Sequence, residues 1–112
     1  MAWLVREGGE VLASAEVAVG GRERMQGLLG REEGSMTGAL VLRPCRQIHT
    51  LRMRFPIDVA FCDEDGVVLR TLTVPPWRVT RVVRRSGFVV EAAAGSFERW
   101  HLQPGDTIEV RE

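Results

Sequence analysis

The side chains with the most chemical potential in this chain lie between Cys45 and Cys62. That stretch holds the two thiols, an imidazole at His49, a thioether at Met53, guanidiniums at Arg52 and Arg54, and a carboxyl at Asp58. Cys, His and Asp are the types that make a nucleophile, its base and an orienting acid. Asp58 and Cys62 would share one face of a strand, because side chains alternate. His49 would then have to approach from a neighbouring strand. No helix N-terminus or similar device marks either thiol as activated, and the four serines lie outside any GxSxG elbow.

Cys45, His49 and Met53 recur every fourth residue. On a helix they would form a soft set suited to copper or zinc. Arg43-Pro44 before them, and Ile48, Thr50 and Phe55 among them, argue for extended chain instead. Extended chain puts Cys45 and His49 about 13 Å apart. With no CxxC or HxxxH partner, a buried thiol, a hydrogen-bonded His and a core Met are the expectation. No metal or cofactor is expected.

Asp58 is the more informative residue. Pro56 belongs at the start of a strand or on an edge. Asp58 follows two residues later, inside a strand where Ile57, Val59 and Phe61 take one face and Asp58, Ala60 and Cys62 the other. An ionised carboxyl buried there needs donors. Arg54 and Arg52 are the nearest in sequence. A structural Asp that pins the Met53–Pro56 loop to the sheet is favoured over a catalytic one.

Other groups are weaker. His101, between Trp100 and Leu102, reads as a surface or capping His. Asp63-Glu64-Asp65 lacks EF-hand spacing and reads as a solvated hairpin tip. Arg24, Arg31, Arg43, Arg52 and Arg54 could converge on a carboxylate or phosphate. Fifteen acids balance the fifteen arginines, so ion pairing with neighbours is the default.

Positioning these groups falls mostly to strands. Ala2–Arg6 and Val11–Val19 flank a Gly-Gly turn and read as an antiparallel hairpin. Met25, Leu28 and Leu29 give the i, i+3, i+4 stripe of a short helix over Arg22–Leu29, with Gly30 as its cap. Arg31–Gly38 is a polar loop, and Ala39–Leu42 a buried strand. Asp65-Gly66 is a hairpin signal. Val67–Val74 carries apolar residues on both faces and is expected to be central and covered on both sides. Trp77–Arg85 reads as an exposed, arginine-blunted edge strand. Phe88–Ala94 is a further strand, Gly95–His101 one helical turn with Phe97 and Trp100 at i, i+3, and Thr107–Val110 the last strand. About seven strands with one or two short helices predict an α+β, mainly β fold, its sheet strongly curved or rolled toward a barrel.

Composition bounds the rest. A chain of 112 residues, 45% hydrophobic and 27% charged, is expected to fold as a single domain over 1–112. It has no Lys, Asn or Tyr. Their codons are rich in A and T, so this reads as a GC-rich genome. The missing Lys excludes Schiff bases and P-loops, and the missing Asn excludes N-glycosylation. Zero net charge predicts no nucleic-acid or anionic-membrane partner. No apolar run approaches a membrane span, and the N-terminus lacks a signal-peptide pattern. A cytoplasmic monomer is the expectation.

Arg22–Arg31 (RERMQGLLGR), Ile48–Asp65 (IHTLRMRFPIDVAFCDED) with Gly66, Pro75-Pro76, and Glu91–Gly105 (EAAAGSFERWHLQPG) with Asp106 together resemble the domain of unknown function 192 family. These are small prokaryotic proteins also called uncharacterised ancient conserved region proteins. Met53–Asp58 carries the most specific part. Many members have Trp-Met-Lys-Asn-Thr where this chain has Thr50–Arg54, and often begin with a signal peptide; this chain departs on both points. The resemblance implies a compact, mainly β fold with a short helix and brings no established activity. It also implies that Arg24, Gly27, Leu28, Met53, Pro56, Asp58, Gly66, Gly95, Gly105 and Asp106 hold matched positions. The combined expectation is a domain that binds a small molecule or a partner without catalysis, at a site near His49, Met53, Arg54 and Asp58, with Arg24. The alternatives are a small hydrolase or metal-assisted enzyme using Cys, His and Asp, and a structural module marked by an exposed patch at Trp77.

Overall fold

The computed structural model describes residues 2–19 and 38–112. Seven strands form one sheet: β1 (Ala2–Arg6), β2 (Val11–Val19), β3 (Ala39–Arg43), β4 (Ile57–Cys62), β5 (Val68–Val74), β6 (Phe88–Ala93) and β7 (Ile108–Arg111). Among the described residues one short helix, α1 (Ser96–Trp100), follows β6. The strand order is β5-β4-β6-β3-β2-β1-β7. Described neighbours pair antiparallel except β2 and β3, which run parallel. The helix expected over Arg22–Leu29, with Arg24, and nearly all of the polar loop after it lie outside the described residues.

Alternation builds two apolar layers from one sheet. Ala60, Cys62, Val41, Val90, Leu4 and Ile108 pack on one face, closed by Phe97 of α1. Ile57, Val59, Phe61, Leu40, Leu42 and Val89 pack on the other, with Ile48, Met53 and Phe55 from the loop before β4. Covered on both faces, β4 is buried at every position.

The sheet curls into a half barrel whose edge strands meet at one corner. Val67 bridges Thr107, the Val68 amide donates to the Asp106 carbonyl at 2.8 Å, and the Ile108 amide donates to the Gly66 carbonyl at 2.9 Å. Gly66 makes this possible. Its φ is +90°, and a Cβ there would collide with the Ile108 carbonyl oxygen.

Two expectations about strands are corrected. The Val67–Val74 segment is not central: β5 is an edge strand, bonded along its length to β4 alone. Its apolar faces serve the two layers through Val68 on one side and Leu72 and Val74 on the other, while Arg70 and Thr73 are exposed. Trp77–Arg85 is not a strand of the sheet. Pro75-Pro76 and a Trp77 φ of 63° turn the chain away. It lies as an irregular ribbon against residues 46–50, through Thr50 N to Arg78 O, Thr80 N to Ile48 O and Val83 N to Arg46 O at 2.8–3.0 Å. No helix among the described residues is long and apolar enough to cross a membrane.

Candidate functional site

Asp58 is 4% exposed, on the same face of β4 as Ala60 and Cys62. Its Oδ1 accepts from the Thr73 hydroxyl of β5 at 2.7 Å. Its Oδ2 accepts from the backbone amides of Gly95 and Phe97, each at 3.0 Å. A helix leaves its first amides without intrahelical partners. Gly95, the residue before α1, has φ 93° and no side chain to supply a cap. Asp58 takes over that task from a strand 37 residues earlier, and ties β4, β5 and the β6–α1 corner to one carboxylate. The expected donors, Arg52 and Arg54, are exposed and do not contact it. The segment it pins is Gly95–Phe97, not Met53–Pro56. Backbone amides win because they are fixed by the turn and carry no side-chain entropy cost.

A cleft of about 350 Å³ opens beside this carboxylate. Thr71, Leu72 and Thr73 of β5 form one wall, and Gly95, Phe97 and Glu98 the other. An ionised carboxyl has about four acceptor positions, and Asp58 uses three. Two hydroxyls and two carboxyls, set against Phe97, suit a small molecule rich in hydrogen-bond donors.

The other expected site residues are dispersed. His49 is exposed on the segment that faces the ribbon, bridged to Val79, and its Nδ1 accepts from the Leu51 amide at 3.2 Å. Met53 is 5% exposed and packs in the layer of Phe55 and Ile57, on the face opposite Asp58. Arg54 is exposed. Of the expected site residues, Asp58 lines this cleft.

A Cys-His-Asp set is not assembled among the described residues. The Asp58 oxygens are engaged by Thr73, Gly95 and Phe97 rather than by His49. Burial, with the nearby Asp63 charge, pushes the Cys62 thiol up to about 12 against a smaller opposing effect of Arg43. Neither cysteine is in a disulfide. No three His, Cys, Asp or Glu side chains gather as a metal site among the described residues. In the acidic tip, Asp63 Oδ1 accepts from the Asp65 and Val67 amides at 3.0 and 2.9 Å, so it shapes the turn. His101 ends α1 in the left-handed region, donating its amide to Glu98 O at 3.1 Å.

Sequence reasoning passed over Glu91. It lies on β6 between Leu40 of β3 and Val59 of β4, on the face of Val89, and is 6% exposed. Its carboxyl has no hydrogen bond or ion pair with a described residue. Burial raises its carboxyl to about 7. The signal was present: a lone charge inside the apolar run FVVEAAA. Thr71, Thr73 and Glu98 carried no such signal, since their cleft exists only once β5 and α1 are side by side.

The sequence matches the DUF192 family model, described as Uncharacterized ACR, over residues 3–110. No curated protein matches it. Two solved structures share its fold. One is a protein of unknown function from Novosphingobium aromaticivorans DSM 12444, 21% identical, with a TM-score of 0.79 over 96% of this chain and 82% of that one. The other, from Sinorhizobium meliloti 1021, is described as a "putative transcription regulator". It is 22% identical, with a TM-score of 0.79 over 97% of this chain and 91% of that one.

Proposed function

We propose, from the premise that this chain belongs to the DUF192 family, that it is a binding domain without catalysis of its own. Its ligand is a small polar molecule bearing hydroxyl or amine donors. The binding site is the cleft between β5 and α1, with Asp58 in its floor and Thr71, Thr73 and Glu98 on its walls. The observation that carries this reading is the buried Asp58 carboxylate, held in place by three donors and facing a concavity with acceptor capacity left over. A fixed, desolvated acceptor is what orients a ligand in a pocket of otherwise ordinary polarity. The dispersed His, Cys and Asp groups support binding over nucleophilic chemistry. Reduced thiols at Cys45 and Cys62 suit a reducing, cytoplasmic compartment, and the proposed active form is a monomer.

The test is a thermal-shift screen of polyols, amino sugars and small amines, repeated on Thr71→Val and Glu98→Gln. Both positions line the cleft without holding Asp58 in place. The expected result is a hit whose stabilising shift disappears in the variants while their unliganded melting temperatures stay within about 2 °C. A hit that shifts the variants equally places the ligand elsewhere and overturns the proposal.

A further inference from the structure

The fifteen arginines are segregated along the chain. Nine of them, and no aspartate or glutamate, fall within residues 43–57 and 66–90. A GC-rich genome accounts for arginine in place of lysine. It does not account for the missing acids, whose codons it accommodates equally well. Arg6 pairs with Glu10, and Arg111 with Glu109, both outside those stretches. Acidic neighbours, the default partners in an arginine-rich chain of zero net charge, are absent along the two stretches themselves.

Two of these arginines share a concavity. Arg70 of β5 and Arg81 of the ribbon line a pocket of about 170 Å³, together with Thr80, Phe61, Leu72 and Val83. It lies on the face of the sheet opposite Asp58, since Phe61 and Leu72 belong to the other apolar layer. Neither guanidinium has an ion-pair or hydrogen-bond partner among the described residues. The pocket is held in shape from behind. The Thr80 hydroxyl donates to the Ile48 carbonyl at 3.2 Å and accepts from the Ile48 amide at 3.1 Å, and Phe61 is 1% exposed. Its volume equals the liquid volume of about five or six waters.

We propose that Arg70 and Arg81 bracket a second binding site, for an oxyanion carried on a short apolar stem. A carboxylate or a phosphate monoester supplies the same chemistry: planar or tetrahedral oxygens for guanidinium forks, and a stem for the floor of Phe61, Leu72 and Val83. The nine arginines of the two acid-free stretches raise the local concentration of any such anion. This site shares Leu72 with the cleft beside Asp58 but takes an anion rather than a hydrogen-bond donor, so the two stand or fall separately.

The experiment is titration calorimetry of the full chain with acetate, butyrate, inorganic phosphate and butyl phosphate, all at constant ionic strength set with chloride. The expected result is saturable binding in which butyrate exceeds acetate, or butyl phosphate exceeds phosphate, by about fourfold per well-buried methylene. Which of the two pairs binds identifies the anion class. Arg81→Gln and Arg70→Gln are expected to weaken binding at least tenfold. Arg85→Gln, an exposed arginine outside the pocket, is expected to leave it unchanged. The proposal is overturned if no anion saturates, if stem length has no effect, or if Arg85→Gln weakens binding as much as Arg81→Gln. The last result would mean a diffuse positive field rather than a site.

Discussion

Asp58 and Glu91 are two buried carboxyls one pairing step apart that point to opposite faces of the same strand pair. Asp58 lies opposite Ala92, and Val59 opposite Glu91. Asp58 accepts three hydrogen bonds; Glu91 accepts none from a described residue. The same residue chemistry at the same depth therefore has opposite consequences. One carboxyl is a joint in the scaffold, and the other is a cost that protonation relieves.

Removing the Asp58 joint is expected to be expensive. Asp58→Ala strands the Gly95 and Phe97 amides and the Thr73 hydroxyl, and should destabilise the fold by roughly 3 kcal/mol. Asp58→Asn keeps one carbonyl acceptor and should lose about half as much. Urea unfolding followed by circular dichroism measures both. Equal stability of Asp58→Ala and the parent chain would remove Asp58 from the architecture.

Glu91 gives a pH dependence whose sign follows from its raised value. The unfolded chain ionises this carboxyl near 4.5 and the folded chain near 7. Between those values the folded state holds the extra proton, so stability declines as pH rises through the window and levels off above it. The gap corresponds to roughly 3 kcal/mol as an upper figure. Glu91→Gln should lack this decline and exceed the parent chain in stability at pH 8. Subtracting the two unfolding series, point by point from pH 4 to pH 8, isolates the residue. A flat difference would show that Glu91 is hydrated or paired.

Cys62 should behave as packing rather than as a nucleophile. In a Cys45→Ser background it is the one thiol left, buried and raised to about 12. A disulfide reagent at pH 8 should leave it unlabelled in the folded protein and label it fully in denaturant. Rapid native labelling would reopen the thiol hydrolase.

Gly66 tests the closure of the half barrel. An alanine Cβ there would run into the Ile108 carbonyl, at a φ of +90°. Gly66→Ala should cost more than about 2 kcal/mol. Gly8→Ala, also at positive φ but with nothing within 4 Å of its Cβ, should cost clearly less. Equal losses would mean that backbone strain, not the β5–β7 corner, sets the penalty.

Much of this architecture was legible from alternation. The hairpin of β1 and β2, the Asp65-Gly66 turn, the two faces of β4 and the helical turn after Gly95 all stand where the residues placed them. Apart from Trp77–Arg85, which Pro75-Pro76 and Trp77 turn away locally, the failures have one origin. Sequence shows neighbours along the chain, whereas sheet order is set by pairing between distant segments. The apolar faces of β5 suggested a central strand because nothing in its residues says which edges find partners. The need of Asp58 for donors was readable, but nearby arginines were closer at hand than amides 37 and 39 residues on. The cleft was invisible for the same reason, since its walls come from β5 and α1. Arg24 lies outside the described residues and receives no placement.

At the centre of this picture is a ligand seated against the Asp58 carboxylate. The Gly95 and Phe97 amides donate directly to that carboxylate, so their nitrogen-15 NMR signals report on it. Titration with a hit from the polyol and amine screen should move those two peaks and the Thr71 peak together along one saturation curve. Saturable binding that leaves all three in place would contradict it.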